Sequence, residues 1–317
     1  MRFQNDPIWR HLGSPNYHDH DHNGFINACK LEDANTLVTG SSHVYGTNLR
    51  KYDTWPVQLQ SAGCNIYSAA MGAWSLMQFA LVARTYLRPC IDRFFVYIYL
   101  GFDIYATLKH TIDTRESSPF GYFDTSDLSL GLDWSYRNKR DICIKNSNEK
   151  GMIGYDGLHA AHAAGCKDCY PVYFDDTCWF IEPQLRTLTT SLDTPYMIRA
   201  LELANIYIHD ILEVCRLHAV QLKFVFIPTK ESVIAANLTN SGSLDLTLSR
   251  VLDSERELAL RLHKFIAGEG GHSSDLFDFY KSMPAQSIFN LTPFEGHPHA
   301  SGAKLLACHM REWFASN

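Results

Sequence analysis

Short apolar runs alternate with longer helix-forming segments through most of the chain. The apolar runs predict strands at 36–39, 64–67, 94–100 and 223–227, and Pro228 ends the last of them. Runs that are apolar almost throughout are typical of parallel strands whose two faces are both covered by helices. The pattern therefore indicates a buried parallel sheet.

Helix signals fill the spaces between these strands. We predict five helices, at 55–61, 73–87, 195–218, 248–267 and 301–314. Strands and helices that alternate in this way predict an α/β fold, with a three-layer, doubly wound and mainly parallel sheet.

The segment from about 110 to 190 breaks the alternation. It is rich in Asp, Ser, Gly and aromatic residues and has no long amphipathic period. A structureless loop of that length is uncommon in a compact domain, so we predict short strands and loops. We interpret the segment as an insertion after the third strand, a lid or a small subdomain, within a single domain spanning 1–317. Such insertions often shape a substrate pocket.

Charge and hydropathy argue against a nucleic-acid partner and against a transmembrane segment. The net charge of −6 at pH 7 argues against a nucleic-acid partner, which would require clustered Lys and Arg. No stretch approaches the roughly 20 apolar residues of a transmembrane helix. The first seven residues also lack the apolar core of an export signal. We therefore expect a cytoplasmic protein without a nucleic-acid partner.

The nine cysteines are odd in number and dispersed, which does not favour a disulfide framework. One close pair, Cys166 and Cys169, resembles half of a zinc site, and Cys178, His159 and His162 are near enough in sequence to complete it. A disulfide and ordinary reduced thiols are the other possibilities, and reduced thiols are the leading expectation.

A second cluster of potential metal ligands lies near the start of the chain. The segment His18–His22 alternates imidazole and carboxylate side chains, which could bind a divalent ion. A polar stretch of this kind is more often simply solvated, and we adopt that interpretation. We expect no metal and no cofactor.

The carboxyl ends of the predicted strands gather the candidate chemistry. In a doubly wound sheet, ligands bind beyond these ends. The residues that follow the strands or approach the last helix are Ser41, Ser42 and His43; Gly72; Gly101, Phe102 and Asp103; Thr229 and Lys230; and Glu295, His297 and His299. A serine between glycines after a strand is a typical position for a nucleophile.

Four of these blocks, in this order, resemble the SGNH (GDSL-like) hydrolases. They are Gly40–Gly46 with its GxSxxxG pattern, Gly72, the turn at 101–103, and the acid–histidine pair at 295–297. The segments 23–27, 53–59, 226–230 and 297–302 also look like that family. The resemblance covers most of the chain outside the insertion and implies a flavodoxin-like SGNH hydrolase fold.

The resemblance implies a serine esterase that works through an acyl-serine intermediate. Ser42 would attack an ester carbonyl, His297 would act as base and then acid, and Glu295 would orient the imidazole. The backbone N–H groups of Ser42 and Gly72 would hold the oxyanion, with a side-chain amide as third donor. The implied substrate is an O-acyl ester, above all an O-acetyl ester, of a carbohydrate or small molecule.

The chain departs from the family pattern at two oxyanion-side positions. Ser41 stands where the family has aspartate, and Phe102 stands where it has the asparagine that donates to the oxyanion. Asn65, Asn48 or a residue of the insertion are candidates to replace that donor. Two alternative functions therefore stay open: an O-acyltransferase of the same fold, and a catalytically impaired binding protein.

The acid of the triad is a further departure from the family pattern. The family usually has aspartate three residues before the histidine, and here that position is Phe294, so we predict Glu295. Asp156 and His159 have the conventional DxxH spacing, but they lie in the insertion, before the fourth strand, and are the lesser candidates. His43 could tune the site, although we expect a solvent-facing turn residue there.

Overall fold

The computed structural model describes residues 3–6, 9–113, 170–174, 177–241, 246–289 and 296–315. Within these ranges the strands are β1 (Phe3–Asp6), β2 (Arg10–Gly13), β3 (Thr36–Thr39), β4 (Ile66–Ser68), β5 (Arg93–Tyr99), β6 (Tyr170–Phe174), β7 (Thr177–Ile181), β8 (Gln221–Ile227) and β9 (His272–Asp275). The α-helices are α1 (Ser42–Tyr45), α2 (Trp55–Ser61), α3 (Leu76–Tyr86), α4 (Asp103–Asp113), α5 (Pro183–Thr190), α6 (Pro195–Leu217), α7 (Lys230–Ser241), α8 (Leu246–Gly268), α9 (Phe277–Ser282) and α10 (Ala300–Ala315).

The central sheet is parallel throughout and has the order β4–β3–β5–β8–β9. Taken in chain order these strands run 2-1-3-4-5 across the sheet, which is the flavodoxin-like arrangement. The predicted three-layer, doubly wound α/β class is therefore confirmed.

Helices cover both faces of this sheet. Phe95 and Tyr97, two residues apart on β5, point to the same face because side chains alternate along a strand. Phe95 contacts Phe314 of α10, and Tyr97 contacts Trp55 of α2, with ring centroids 4.9 and 5.0 Å apart. On the other face α6 packs against α3 and α4. Both faces of β5 are buried, as its apolar sequence predicts.

The four predicted strands and five predicted helices are all present, with ends displaced by at most three residues. The fifth strand, β9, was not predicted. Its sequence, His-Ser-Ser-Asp, is polar because it lies at the edge of the sheet, where its pairing with β8 depends on backbone groups. Edge strands of this kind carry no apolar signal in the sequence.

A hairpin near the start of the chain, β1 with β2, was also not predicted. It supports the loop that follows β4. His11 Nε2 lies 2.7 Å from the carbonyl oxygen of Gly72, and the Trp74 indole N–H donates to the carbonyl of His11 at 3.1 Å. Trp9 stacks on Trp74 with ring centroids 5.1 Å apart. The hairpin therefore fixes the position of Gly72 at the carboxyl edge of the sheet.

The predicted insertion is described only in part. Helix α4 continues to Asp113, so regular structure extends a few residues past its expected start. Near its end, β6 and β7 form a two-stranded antiparallel sheet, and α5 follows. These elements agree with the short strands predicted there. The lid and domain interpretation stays a prediction, since 114–169 lies outside the described residues, as do Asp156, His159, His162, Cys166 and Cys169.

The segment His18–His22 is only partly the solvated stretch that we expected. His20 is buried, and its two ring nitrogens lie 3.0 Å from the Ser14 carbonyl and 2.9 Å from the Tyr45 hydroxyl. The Asp21 carboxylate accepts bonds from several groups, including the Tyr67 hydroxyl at 2.7 Å. The expectation was wrong for these two residues because their polar groups anchor the segment to the core.

Two features are absent from the described part of the chain. None of its helices combines the length and apolarity needed to cross a bilayer. No group of three or more His, Cys, Asp or Glu side chains in the same residues is arranged to hold a metal ion.

Candidate active site

Ser42 lies on a sharp turn at the carboxyl end of β3. The strand ends at Thr39, and α1 begins three residues later, at Ser42. The turn requires glycine at position 40, because a Cβ there would lie 2.4 Å from Val44 Cγ2 and 3.0 Å from the Tyr97 carbonyl oxygen. The sharp bend leaves Ser42 only half-buried, at the edge where ligands are expected.

Ser42 and His297 are in hydrogen-bond contact although they are 255 residues apart. Ser42 Oγ lies 2.6 Å from His297 Nε2. His297 precedes α10 in a segment held by an isolated bridge between Phe289 and Pro298. The third predicted member of the triad, Glu295, lies outside the described residues. The structure thus brings the predicted nucleophile and base together.

The loop after β4 places Gly72 close to Ser42. The Met71 N–H donates to the Gly40 carbonyl at 3.3 Å and so joins the loop after β4 to the serine turn. A Cβ on Gly72 would lie only 4.0 Å from Ser42 Cβ. The N–H groups of Ser42 and Gly72 donate to no acceptor in the part of the chain that the structure describes. Both N–H groups can donate to a ligand, and the oxyanion role expected of them stays a prediction.

Ser41 is buried behind the turn rather than facing a ligand. Its carbonyl accepts the N–H groups of Val44 and Tyr45, which begins α1. Its side chain meets the carboxyl of Asp103, the first residue of α4 and itself 1% exposed. Burial raises the pKa of Asp103 to about 8, against the opposing effects of hydrogen bonds from the Tyr99 N–H, at 2.8 Å, and from Ser41. Asp103 therefore supports the serine turn through its contact with Ser41, and its carboxyl is largely neutral at pH 7.

Gly101 and Phe102 contribute no side-chain donor to the site. A Cβ on Gly101 would meet Thr229 Cγ2 at 2.6 Å and Tyr99 Oη at 2.7 Å, so glycine is needed for close packing there. Phe102 is half-buried and packs on Tyr105, with ring centroids 5.7 Å apart. These two residues shape the walls of the β5–α4 turn.

Of the two asparagines predicted as replacement donors, Asn65 lies at the wrong end of its strand. The Asn65 carbonyl accepts the N–H groups of Asn35 and Thr36, which puts Asn65 at the amino end of β4 and the opposite edge of the sheet from Ser42. Asn48 is exposed and has a left-handed backbone, with φ of 68°. Asn65 was therefore a wrong suggestion, because a residue that precedes its strand cannot reach the carboxyl edge.

His43 is not the solvent-facing turn residue that we expected. It is 5% exposed, and its ring packs between the rings of Tyr99 and His297, at centroid separations of 4.1 and 4.8 Å. Neither ring nitrogen has a hydrogen-bond partner among the described residues. Burial holds the pKa of His43 well below its usual range, and His297 and Arg186 lower it further. His43 is consequently a neutral packing ring beneath His297.

A buried ion pair lies on the far side of Tyr99. The Arg186 guanidinium lies 5.7 Å from the centre of the Tyr99 ring, and its Nε donates to Glu231 Oε2 at 3.0 Å. Burial disfavours the charge on Arg186, but Glu231, Tyr99 and Glu182 outweigh it and raise the pKa. Burial likewise opposes the charge on Glu231, but Arg186 and Lys230 lower its pKa. The pair stays ionised although its side chains are at most 9% exposed.

The end of β8, a predicted contributor to the site, is enclosed in the same region. Lys230 is fully buried, and its Nζ donates to the Phe180 carbonyl at 3.4 Å. The Thr229 N–H donates to the carboxyl of Glu255 at 3.1 Å. Burial raises the pKa of Glu255 to about 7. These residues link β8 to β7 and α8.

A small cavity adjoins Ser42 and His297. It has a volume of about 10 Å³, room for roughly one water-sized group. Its other lining residues are apolar or small, and they are His43, Gly46, Thr47, Leu49, Trp55, Pro298 and Ala303. The space beside the nucleophile is thus narrow and largely apolar.

Several neighbours of the site were not identified from the sequence. His11 and Arg186 lie outside every motif and reach the site only through tertiary contacts. Tyr99 was assigned to the sheet core, because it ends an apolar strand. Thr47 lies just after the GxSxxxG pattern, five residues after Ser42. This closeness in sequence was the one available indication that Thr47 lies near the nucleophile.

Comparisons with known proteins assign this chain to no family. No family model matches the sequence, and no curated protein matches it. Among solved structures, the chain is similar to a crystal structure of an extracellular lipase from Streptomyces rimosus. That likeness has 11% sequence identity and a TM-score of 0.38, and it covers 88% of this chain and 99% of the lipase chain. A likeness of this degree establishes neither a family nor an activity.

Proposed function

We propose that this protein is an SGNH-type serine esterase that hydrolyses small O-acyl esters, chiefly O-acetyl esters, of a carbohydrate or other small molecule. The contact that carries the proposal is the 2.6 Å separation between Ser42 Oγ and His297 Nε2. A serine hydroxyl held against an imidazole is the arrangement that activates a nucleophile. The backbone N–H groups of Ser42 and Gly72, which have no acceptor among the described residues, are the proposed oxyanion donors.

The reaction follows from these groups. Ser42 Oγ attacks the ester carbonyl carbon while His297 Nε2 takes its proton, and the carbonyl oxygen becomes an oxyanion. The N–H groups of Ser42 and Gly72 stabilise that charge. The intermediate collapses to acyl-Ser42, and His297 returns the proton to the leaving alkoxide. His297 then deprotonates a water that attacks the acyl carbon, which releases the acid and free Ser42.

The small cavity supports the preference for acetyl groups. Leu49 and Trp55 line this cavity, so an acyl chain on Ser42 that enters it would lie against them. The apolar lining suits a methyl group, whereas the roughly 10 Å³ volume leaves no room for a longer chain. The carbohydrate part of the proposal rests on the resemblance to SGNH enzymes alone.

One observation favours a second candidate, a binding protein of the same fold that has lost most of its turnover. Phe102 supplies no donor at the position where the family has asparagine. Loss of one oxyanion donor typically lowers turnover by about 10²–10³-fold. A direct assay separates the two candidates.

The test is hydrolysis of p-nitrophenyl acetate by the wild type, Ser42→Ala and His297→Ala. We expect turnover by the wild type and a loss of at least about 10³-fold in each variant. Ser61→Ala, which changes an exposed serine at the end of α2, is the matched control and should keep full activity. A wild type without turnover would favour the binding protein, and equal activity in Ser42→Ala would exclude Ser42 as the nucleophile.

A further inference from the structure

The proposed oxyanion site has two backbone donors and lacks a side-chain donor from the β5–α4 turn. The ring of Phe102 has no polar atom, and Asn65 lies at the opposite edge of the sheet. An oxyanion with a donor missing is stabilised far less well. A side chain elsewhere in the site that could supply the donor is therefore of interest.

Thr47 is held directly beside Ser42. Helix α1 ends at Tyr45, and the left-handed backbone of Gly46, with φ of 76°, turns the chain back. The N–H groups of Gly46 and Thr47 both donate to the Ser42 carbonyl, at 3.0 and 3.1 Å. The reversal fixes Thr47 to the backbone of the nucleophile, so its position depends on the same turn.

The Thr47 hydroxyl lies next to Gly72 and close to Ser42. A Cβ built on Gly72 would lie 3.3 Å from Thr47 Oγ1 and 4.0 Å from Ser42 Cβ. Thr47 also lines the small cavity together with Ser42 and His297. The hydroxyl thus lies on the side of Gly72 that faces the nucleophile.

The hydroxyl is also uncommitted. Among the described residues it has no hydrogen-bond partner, although the residue is half-buried. A hydroxyl rotates freely about its C–O bond and can donate its single proton to a new acceptor. Bonds from a hydroxyl to a negatively charged oxygen are short and strong, so a developing oxyanion is a favourable acceptor.

We propose that the Thr47 hydroxyl is the third donor to the oxyanion and takes over the role of the absent asparagine side chain. The inference rests on the proposed function, because it concerns the transition state of that reaction. Thr47 would donate its proton to the oxyanion alongside the N–H groups of Ser42 and Gly72. No bond forms to Thr47, and it keeps its proton throughout.

The experiment compares Thr47→Val, which keeps the shape and removes the hydroxyl, with Thr47→Ser, which keeps the hydroxyl. With p-nitrophenyl acetate we expect Thr47→Val to lower kcat by about 10²-fold with little change in KM. Thr47→Ser should stay within about tenfold of the wild type. Thr85→Val, at an exposed position of α3, is the control and should change neither constant.

A second readout follows the oxyanion without turnover. Methylboronic acid forms a tetrahedral adduct with an active-site serine, and its oxygen occupies the oxyanion site. If Thr47 is an oxyanion donor, Thr47→Val should weaken inhibition by methylboronic acid by a factor similar to the loss in kcat. If the role of Thr47 is merely structural, Thr47→Val should lower the melting temperature and leave the ratio of boronate affinity to substrate affinity unchanged.

The outcomes separate this inference from the proposed function. The role of Thr47 alone would be overturned if the wild type is active and the kcat of Thr47→Val lies within threefold of the wild-type value at an unchanged melting temperature. A wild type with neither ester turnover nor boronate inhibition would overturn both. If Thr47→Val does not fold, Thr47→Ala against Thr47→Ser gives the same comparison.

Discussion

The His43 ring packs against the His297 ring at a centroid separation of 4.8 Å, and it does so as a neutral imidazole without a hydrogen-bond partner in the described residues. The polar side chain next to the nucleophile therefore acts as an apolar surface. It fills the space between Tyr99 and the proposed catalytic base, so the base rests on packed rings.

His43→Phe should preserve this support, because phenylalanine retains the ring without the unpaired nitrogens. We expect its melting temperature to equal or exceed that of the wild type and kcat to stay within about threefold. His43→Ala leaves a cavity beneath His297 and should cost about 3–5 kcal/mol of unfolding free energy, with kcat at least tenfold lower. Urea unfolding measures the stability of each variant, and the ester assay measures its kcat. Equal activity in His43→Ala would show that His297 does not need the ring.

The depressed pKa of His43 also makes stability depend on pH in a defined direction. The unfolded chain binds a proton at His43 below about pH 6.5, while the folded protein keeps it neutral. The stability of the wild type relative to His43→Phe should therefore fall as the pH drops below about 6.5, by up to about 1.4 kcal/mol per pH unit. A difference that does not change between pH 7 and 5 would contradict the neutral state of His43.

The contribution of Asp103 to stability depends on pH in the opposite direction to that of His43. Its pKa is raised from 3.8 to about 8, so the folded protein holds a proton that the unfolded chain releases. Its contribution to stability is present at low pH and is lost as the pH rises through about 8. Asp103→Asn cannot ionise, so its stability relative to the wild type should increase by about 2–3 kcal/mol between pH 6 and 9. Urea unfolding at four pH values tests this, and a constant difference would refute the raised pKa.

Much of the fold could be predicted from the sequence because its signals are local. The central strands β5 and β8 are apolar along most of their length, because most of their residues are buried. The edge strand β9 and the hairpin β1–β2 depend on pairing with distant segments. Their own residues are mostly polar and carry no periodic signal.

The candidate site was predictable in its residue types and less so in its surroundings. A serine after one strand and a histidine before the last helix indicated the pair that lies 2.6 Å apart. The burial of His43 was not predictable, because its identity as a polar residue beside a turn suggests exposure. Arg186 and Glu231 are 45 residues apart, and only the folded chain shows that they meet. The roles of all these residues stay predictions until activity is measured.

The ion pair of Arg186 with Glu231 should be strongly coupled. Arg186→Met leaves Glu231 buried without its partner and should cost about 3–5 kcal/mol of unfolding free energy. Adding Glu231→Gln removes the stranded charge and should restore a large part of that loss. Urea unfolding of the single and double variants gives the coupling, and strictly additive losses would contradict it. Arg261→Met breaks an exposed pair with Glu257 and should change stability by at most about 1 kcal/mol.

Leu49 should limit the length of the acyl chain. Leu49→Ala enlarges the small cavity beside Ser42, so kcat/KM for p-nitrophenyl butyrate relative to the acetate should rise by about tenfold or more. Leu201→Ala, which shortens a partly buried leucine on α6 outside the cavity, is the control and should leave the ratio unchanged. An unchanged ratio in Leu49→Ala would show that the acyl chain lies elsewhere.

The central claim is that His297 activates Ser42 as a nucleophile, and covalent capture by a fluorophosphonate tests it most directly. The folded wild type is incubated with the reagent and digested, and the modified peptide is identified by mass spectrometry. We predict one phosphonylated site, at Ser42, with labelling abolished in Ser42→Ala and slowed at least 100-fold in His297→Ala. No labelling of the folded wild type, or labelling that persists in Ser42→Ala, would contradict the account.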